Sequence, residues 1–137
     1  MVKQAAAEMR DLTEDDGELS SWIEKETGVI RVFGRGQWSP AEVEVHFAAL
    51  DRLIAARRSA GAPVLVLVDL TEAPVQEGVI AERIGRATTR VYEESDRVAV
   101  IVTSCLVKMQ MKRVAAVANL EFFISHNAAR TWLTAYC

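Results

Sequence analysis

The chain has 137 residues, 50% of them hydrophobic and 26% charged, with a formal net charge of −3. That length suits one domain with its own core, and the composition is globular rather than disordered. The acidic balance argues against a nucleic-acid binder, which needs a concentrated basic surface; no apolar run approaches the ~20 residues of a membrane-spanning helix; and no signal-peptide core follows Met1, so cytoplasmic residence is expected.

Residues 1–17 combine an alanine-rich piece with the acidic run Glu14-Asp15-Asp16 and Gly17. They read as a flexible leader ahead of one domain over 18–137, because terminal segments without an apolar face fray. Leu19 to Glu24 and Val29 to Phe33 are strand-like runs joined through Glu26-Thr27-Gly28, a hairpin signal. Gly34-Arg35-Gly36 closes that hairpin. In Ser39-Pro40-Ala41-Glu42 the serine fits an N-cap, the proline the first helical position and the glutamate the reciprocal half of a capping box. Val43, Phe47, Leu50 and Ile54 then recur at helical spacing, and Gly61 and Pro63 end the helix.

Val64 to Val68 is an unbroken aliphatic run ending at Asp69, as in a central strand covered on both faces. The pattern then predicts a helix beginning at Thr71 to Pro74 and carrying Ile80, Ile84, Ala87 and Val91 on one face. Gly78 and Gly85 would each weaken it by roughly 1 kcal/mol, and close helix packing is a reason to keep them. Val98 to Val102 is a second buried strand. Leu106 to Leu120 is expected as a third helix whose apolar residues spill beyond one stripe, Phe122-Phe123-Ile124 as a short strand, and Ser125 or Asn127 as the cap of a last helix with Ala129, Trp132 and Leu133. The order β-β-α-β-α-β-α-β-α implies an α/β fold: a mixed, mostly parallel sheet of about five strands, an N-terminal β-hairpin and four helices.

The capped helix after the hairpin, the strand closing in Val68-Asp69-Leu70, the run Arg97 to Val102, and Phe122-Phe123-Ile124-Ser125 before Trp132-Leu133 resemble the STAS-like, SpoIIAA-like family of small bacterial proteins. The resemblance spans roughly residues 19–136. It implies a non-catalytic regulatory or protein-interaction module. In the anti-sigma-factor antagonists of that group, a serine beside a glycine opens the helix after the central strand, and its phosphorylation controls partner binding. Here Gln76-Glu77-Gly78 stands in that place without a hydroxyl, so such a switch is not expected. Glu77 carries less charge than a phosphoserine, and the plainer reading is an acidic residue favoured by the helix dipole. Thr71 is the nearest hydroxyl, more simply an N-cap.

No enzyme template is met. His46 and His126 lack partners at metal-ligand spacing, and His46 is expected to point outward beside Phe47; Gly34-Arg35-Gly36 lacks the rest of a dinucleotide fingerprint. No catalytic residue, metal or cofactor is therefore assigned. Cys105 and Cys137 form no CxxC pair and are expected as reduced thiols, Cys105 packed near a strand end. Asp69 lies where α/β sheets place ligands, although an Asx turn through its own backbone is the favoured account. The candidate partner or ligand surface comprises Asp69, Thr71, Glu77, Gly78, Met109, Met111 and Phe122. Two functions follow: a module that binds a protein, including a second copy of itself as a homodimer, or a carrier of a small apolar ligand or lipid of SEC14-like type. Methionine suits an irregular apolar pocket.

Overall fold

A computed structural model of the chain describes residues 17–135. Apart from Gly17, the expected leader lies outside the described residues, as does Cys137. Strands β1 (Glu18–Ile23) and β2 (Ile30–Arg35) form the hairpin, with Gly28 at φ 75° in its turn. Helix α1 (Pro40–Ser59) leads to β3 (Leu65–Glu72), α2 (Gly78–Val91) to β4 (Arg97–Ile101), α3 (Cys105–Val114) to β5 (Leu120–Phe123), and α4 (His126–Thr134) follows. The sheet runs in the order β1-β2-β3-β4-β5, antiparallel between β1 and β2 and parallel thereafter.

This sequential order decides where the helices go. Right-handed crossovers that step across a sheet in one direction leave all connecting helices on the same face. Accordingly α1, α2 and α3 cover one face, over Ile30, Val32, Val66, Val98 and Val100. Helix α4 is no crossover, and it covers the other face over Leu65, Leu67, Ala99 and Ile101 with Ala129 and Leu133. The aliphatic runs at 64–68 and 98–102 are thus neighbours in the sheet interior, Val66 opposite Val98 and Val68 opposite Val100.

The capping box forms as expected: the Glu42 amide donates to Ser39 Oγ at 3.1 Å and the Ser39 amide to Glu42 Oε1 at 2.9 Å. At the far end of α1, Arg58 grips Asp96 with two 2.7 Å hydrogen bonds, and Asp96 is only 1% exposed. That pair ties α1 to the turn before β4.

Several expectations are corrected. Thr71 and Glu72 belong to β3, where Glu72 pairs with Arg35, so Thr71 is no N-cap and α2 starts later, at Gly78 with Glu77 as N-cap. Gly78 has open space where a Cβ would sit; close packing explains only Gly85, whose Cβ would lie 2.5 Å from the Val114 carbonyl oxygen. Helix α3 stops at Val114 rather than reaching Leu120, because Leu120 pairs with Val98 at the head of β5. Ile124 lies beyond that strand and is exposed, and Cys105 is exposed at the start of α3. His46 points inward: at 5% exposure it joins the stripe of Val43, Phe47, Leu50 and Ile54.

Candidate interaction surface at one end of the sheet

Because β2, β3 and β4 are parallel, the segments leaving them emerge at one end of the sheet. One glutamine binds three of the elements there. The Gln76 side chain is buried; its Oε1 accepts from the Trp38 amide at 3.0 Å, while its Nε2 donates to the carbonyls of Gly36 at 2.9 Å and Pro74 at 3.1 Å. Its backbone exchanges two hydrogen bonds with the Gln110 side chain, at 2.8 and 2.7 Å. Residues 73–77 are thereby fastened both to the start of α1 and to the middle of α3. Trp38 adds a second anchor, its Nε1 donating to the Glu18 and Arg35 carbonyls at 3.0 Å each. Neither role has a local sequence signature, since apart from Pro74 the partners of Gln76 lie 34 to 40 residues away.

Around that lock the surface is apolar where it meets solvent. Val75 and Val79 flank Gln76-Glu77-Gly78 and are exposed; Leu106 and Met109, on the helix that carries Gln110, are 66% and 57% exposed. Leu106 and Gln110 stand one turn apart and therefore share a helix face. Glu77 is exposed, and its carboxylate makes no capping hydrogen bond. An open groove of about 670 Å³ runs beside it, walled by Gln37, Trp38, Pro40, Val75, Glu77 and Ile80.

Asp69 and Thr71 are at the same end but turn to the face covered by α4. Asp69 Oδ1 accepts from the Thr71 amide at 2.9 Å and its hydroxyl at 2.7 Å, an Asx turn that occupies both groups. His126, at the start of α4, lies within electrostatic range of Asp69, Glu24, Arg31 and Arg130; partial burial is the largest influence and lowers its pKa. Glu24 is ion-paired with Arg130 and Arg31, and the Arg130 hydrogen bonds above all pull its pKa down to about 2. This network clamps α4 to the hairpin. Among the described residues no group of three or more His, Cys, Asp or Glu side chains could hold a metal ion, and no helix is long and apolar enough to cross a membrane.

The remaining candidates separate. Met111 and Phe122 line an apolar cavity of about 70 Å³ between the sheet and α1–α3, while Met109 faces solvent. That volume is well below the ~300 Å³ of the smallest pockets that hold drug-sized ligands. His46 also lines it; burial pushes the imidazole pKa down to about 4, and Nδ1 has no hydrogen-bond partner.

A five-stranded mixed sheet with three helices on one face and one on the other is a SpoIIAA-like fold. Among solved structures, the chain is similar to an uncharacterised DUF3478-family protein with a SpoIIAA-like fold from Shewanella loihica PV-4. The TM-score is 0.62 at 17% identity, covering 85% of this chain and 93% of that one. It is also similar to an anti-sigma factor antagonist from Mycobacterium paratuberculosis, with a TM-score of 0.54 at 16% identity, covering 85% and 94%. No family model matches the sequence, and no curated protein matches it.

Proposed function

We propose that the protein is a non-catalytic regulatory module of the STAS type that acts in the cytoplasm by binding a protein partner at the end of the sheet where Gln76 sits. The observation that carries this reading is the exposed apolar set Val75, Val79, Leu106 and Met109 around a loop held by the Gln76–Gln110 hydrogen bonds. Apolar side chains clustered on a surface and rimmed by polar groups are the usual mark of a docking site. The same segments carry exposed charged residues: Glu77 beside Val75 and Val79, and Lys108 and Lys112 on the helix of Leu106 and Met109. The fold shared with an anti-sigma factor antagonist supports a partner-binding role. With glutamate where that group has a phosphorylatable serine, binding in this reading is not switched by phosphorylation at position 77.

Affinity capture from the native cytosol tests it, using the wild-type chain, Leu106→Asp/Met109→Asp, and Trp22→Ala on the opposite face. A protein retained by wild type and Trp22→Ala but lost from the double variant is the expected result. Retention that ignores Leu106→Asp/Met109→Asp overturns the reading. A second copy of the chain is one form of this partner; sedimentation at micromolar concentration would then show a dimer that the double variant abolishes.

A further inference from the structure

Two deficits coincide inside the domain. The first is a partly open apolar cavity of about 70 Å³ between α1, α2, α3 and the sheet. Apolar walls that face each other across a gap make no dispersion contacts there, so a molecule that fits between them gains those contacts. The second is His46 Nδ1, a buried ring nitrogen without a hydrogen-bond partner, on a side chain that lines that same cavity. Buried polar atoms in folded proteins nearly always have partners, so an orphan of this kind calls for one. The other polar side chains at the wall do not supply it: the Thr88 hydroxyl donates to the Gly85 carbonyl at 2.8 Å, and no hydrogen bond joins Tyr92 to His46.

We infer that this cavity is a binding site for a small, uncharged, largely apolar molecule bearing one hydroxyl group, which His46 Nδ1 engages. The chemistry of the wall selects each attribute. No Asp, Glu, Lys or Arg lines the cavity, so a charged molecule would meet no counter-ion. Leu50, Ile84, Val100, Met111 and Phe122 supply the apolar surface. A hydroxyl both donates and accepts, and so satisfies Nδ1 in either neutral tautomer, whereas an amine or ketone suits one better than the other. The size is limiting. An engineered apolar cavity of roughly 150 Å³ admits benzene, so about half that volume takes a fragment of about three or four heavy atoms, a short aliphatic alcohol. The wall is only partly buried at Leu19, Val68, Tyr92, Ala115, Leu120 and Phe122, so the cavity communicates with the surface along its edge.

Titration of the ¹⁵N,¹³C-labelled chain with 2-propanol, and separately with pressurised xenon, tests the site by NMR at the Met111 methyl and the His46 ring. Saturable shifts of the Met111 methyl with both probes, and of His46 Nδ1 with the alcohol alone, are expected. His46→Phe should weaken the alcohol about tenfold or more through the lost hydrogen bond while sparing xenon. Ala115→Leu, which fills the cavity from its rim, should abolish binding of both. No saturable shift in the wild-type chain overturns the inference, as does a long-lived water at Nδ1 that the alcohol fails to displace. Alcohol binding unchanged in His46→Phe refutes the role given to the histidine.

Discussion

Acidification from pH 7.5 to 5 should weaken the fold through His46. The imidazole is buried among apolar side chains, and its pKa falls from 6.5 to about 4 because burial penalises the charged form. Above pH 6.5 the ring is neutral in the folded and unfolded chain alike, and its stability contribution is complete. As pH falls below 6.5 the unfolded chain takes up a proton that the folded chain refuses. Stability is therefore lost progressively until the folded ring also titrates near pH 4. A gap of about 2.5 pH units corresponds to about 3 kcal/mol in full, of which about 2 kcal/mol is expressed by pH 5. With a urea dependence of about 2 kcal/mol per molar for a domain of this size, the unfolding midpoint should drop by about 1 M. His126 titrates in the same sense, its pKa also lowered, so the decisive comparison is with His46→Phe. That variant replaces the ring with an apolar one beside Phe47 and should lose most of the pH dependence while gaining stability at pH 5. Equal midpoints for the wild-type chain at the two pH values, or an undiminished slope in His46→Phe, would refute the reasoning.

Other perturbations address the elements that shape the docking end and the clamp on α4. Gln76→Ala strips a partner from the buried Trp38 amide and from the Gly36 carbonyl, and should cost about 2–3 kcal/mol in urea unfolding. Gly85→Ala sets a methyl against the Val114 carbonyl and should cost about 1–3 kcal/mol, whereas Gly78→Ala, with free space around it, should be neutral or stabilise by up to about 1 kcal/mol. Glu24, held near pKa 2 by Arg130, contributes stability that is complete above pH 4.5 and lost as pH falls through 2. Glu24→Gln should therefore remove the part of acid unfolding that lies below the window of His46, as circular dichroism would record.

The features readable in advance were those whose causes are local or periodic. The box at Ser39 and Glu42 spans four residues, and the runs at 64–68 and 98–102 announce burial by composition. The end of β3 was misplaced because Glu72 is held in the strand by Arg35, a contact no window along the chain contains. The length of α3 was overestimated for a related reason: the alanines after Val114 favour helix, but pairing of Leu120 with Val98 ends it. His46 is a different case. It falls three after Val43 and four before Leu50, squarely on the buried stripe, and only the assumption that a polar ring faces water concealed it. Of the candidate site, the stretch at Glu77 and Gly78 was legible through the family resemblance, while Gln76, Gln110 and Trp38 were not, since their meaning lies in partners distant along the chain.

The fastening of residues 73–77 by Gln76 has a thermodynamic corollary for any association at that end of the sheet. A segment already immobile before encounter surrenders little conformational freedom on contact, so more of the gross attraction survives as affinity. Complex formation would then resemble rigid docking, with small rearrangement of the main chain and a modest entropic penalty.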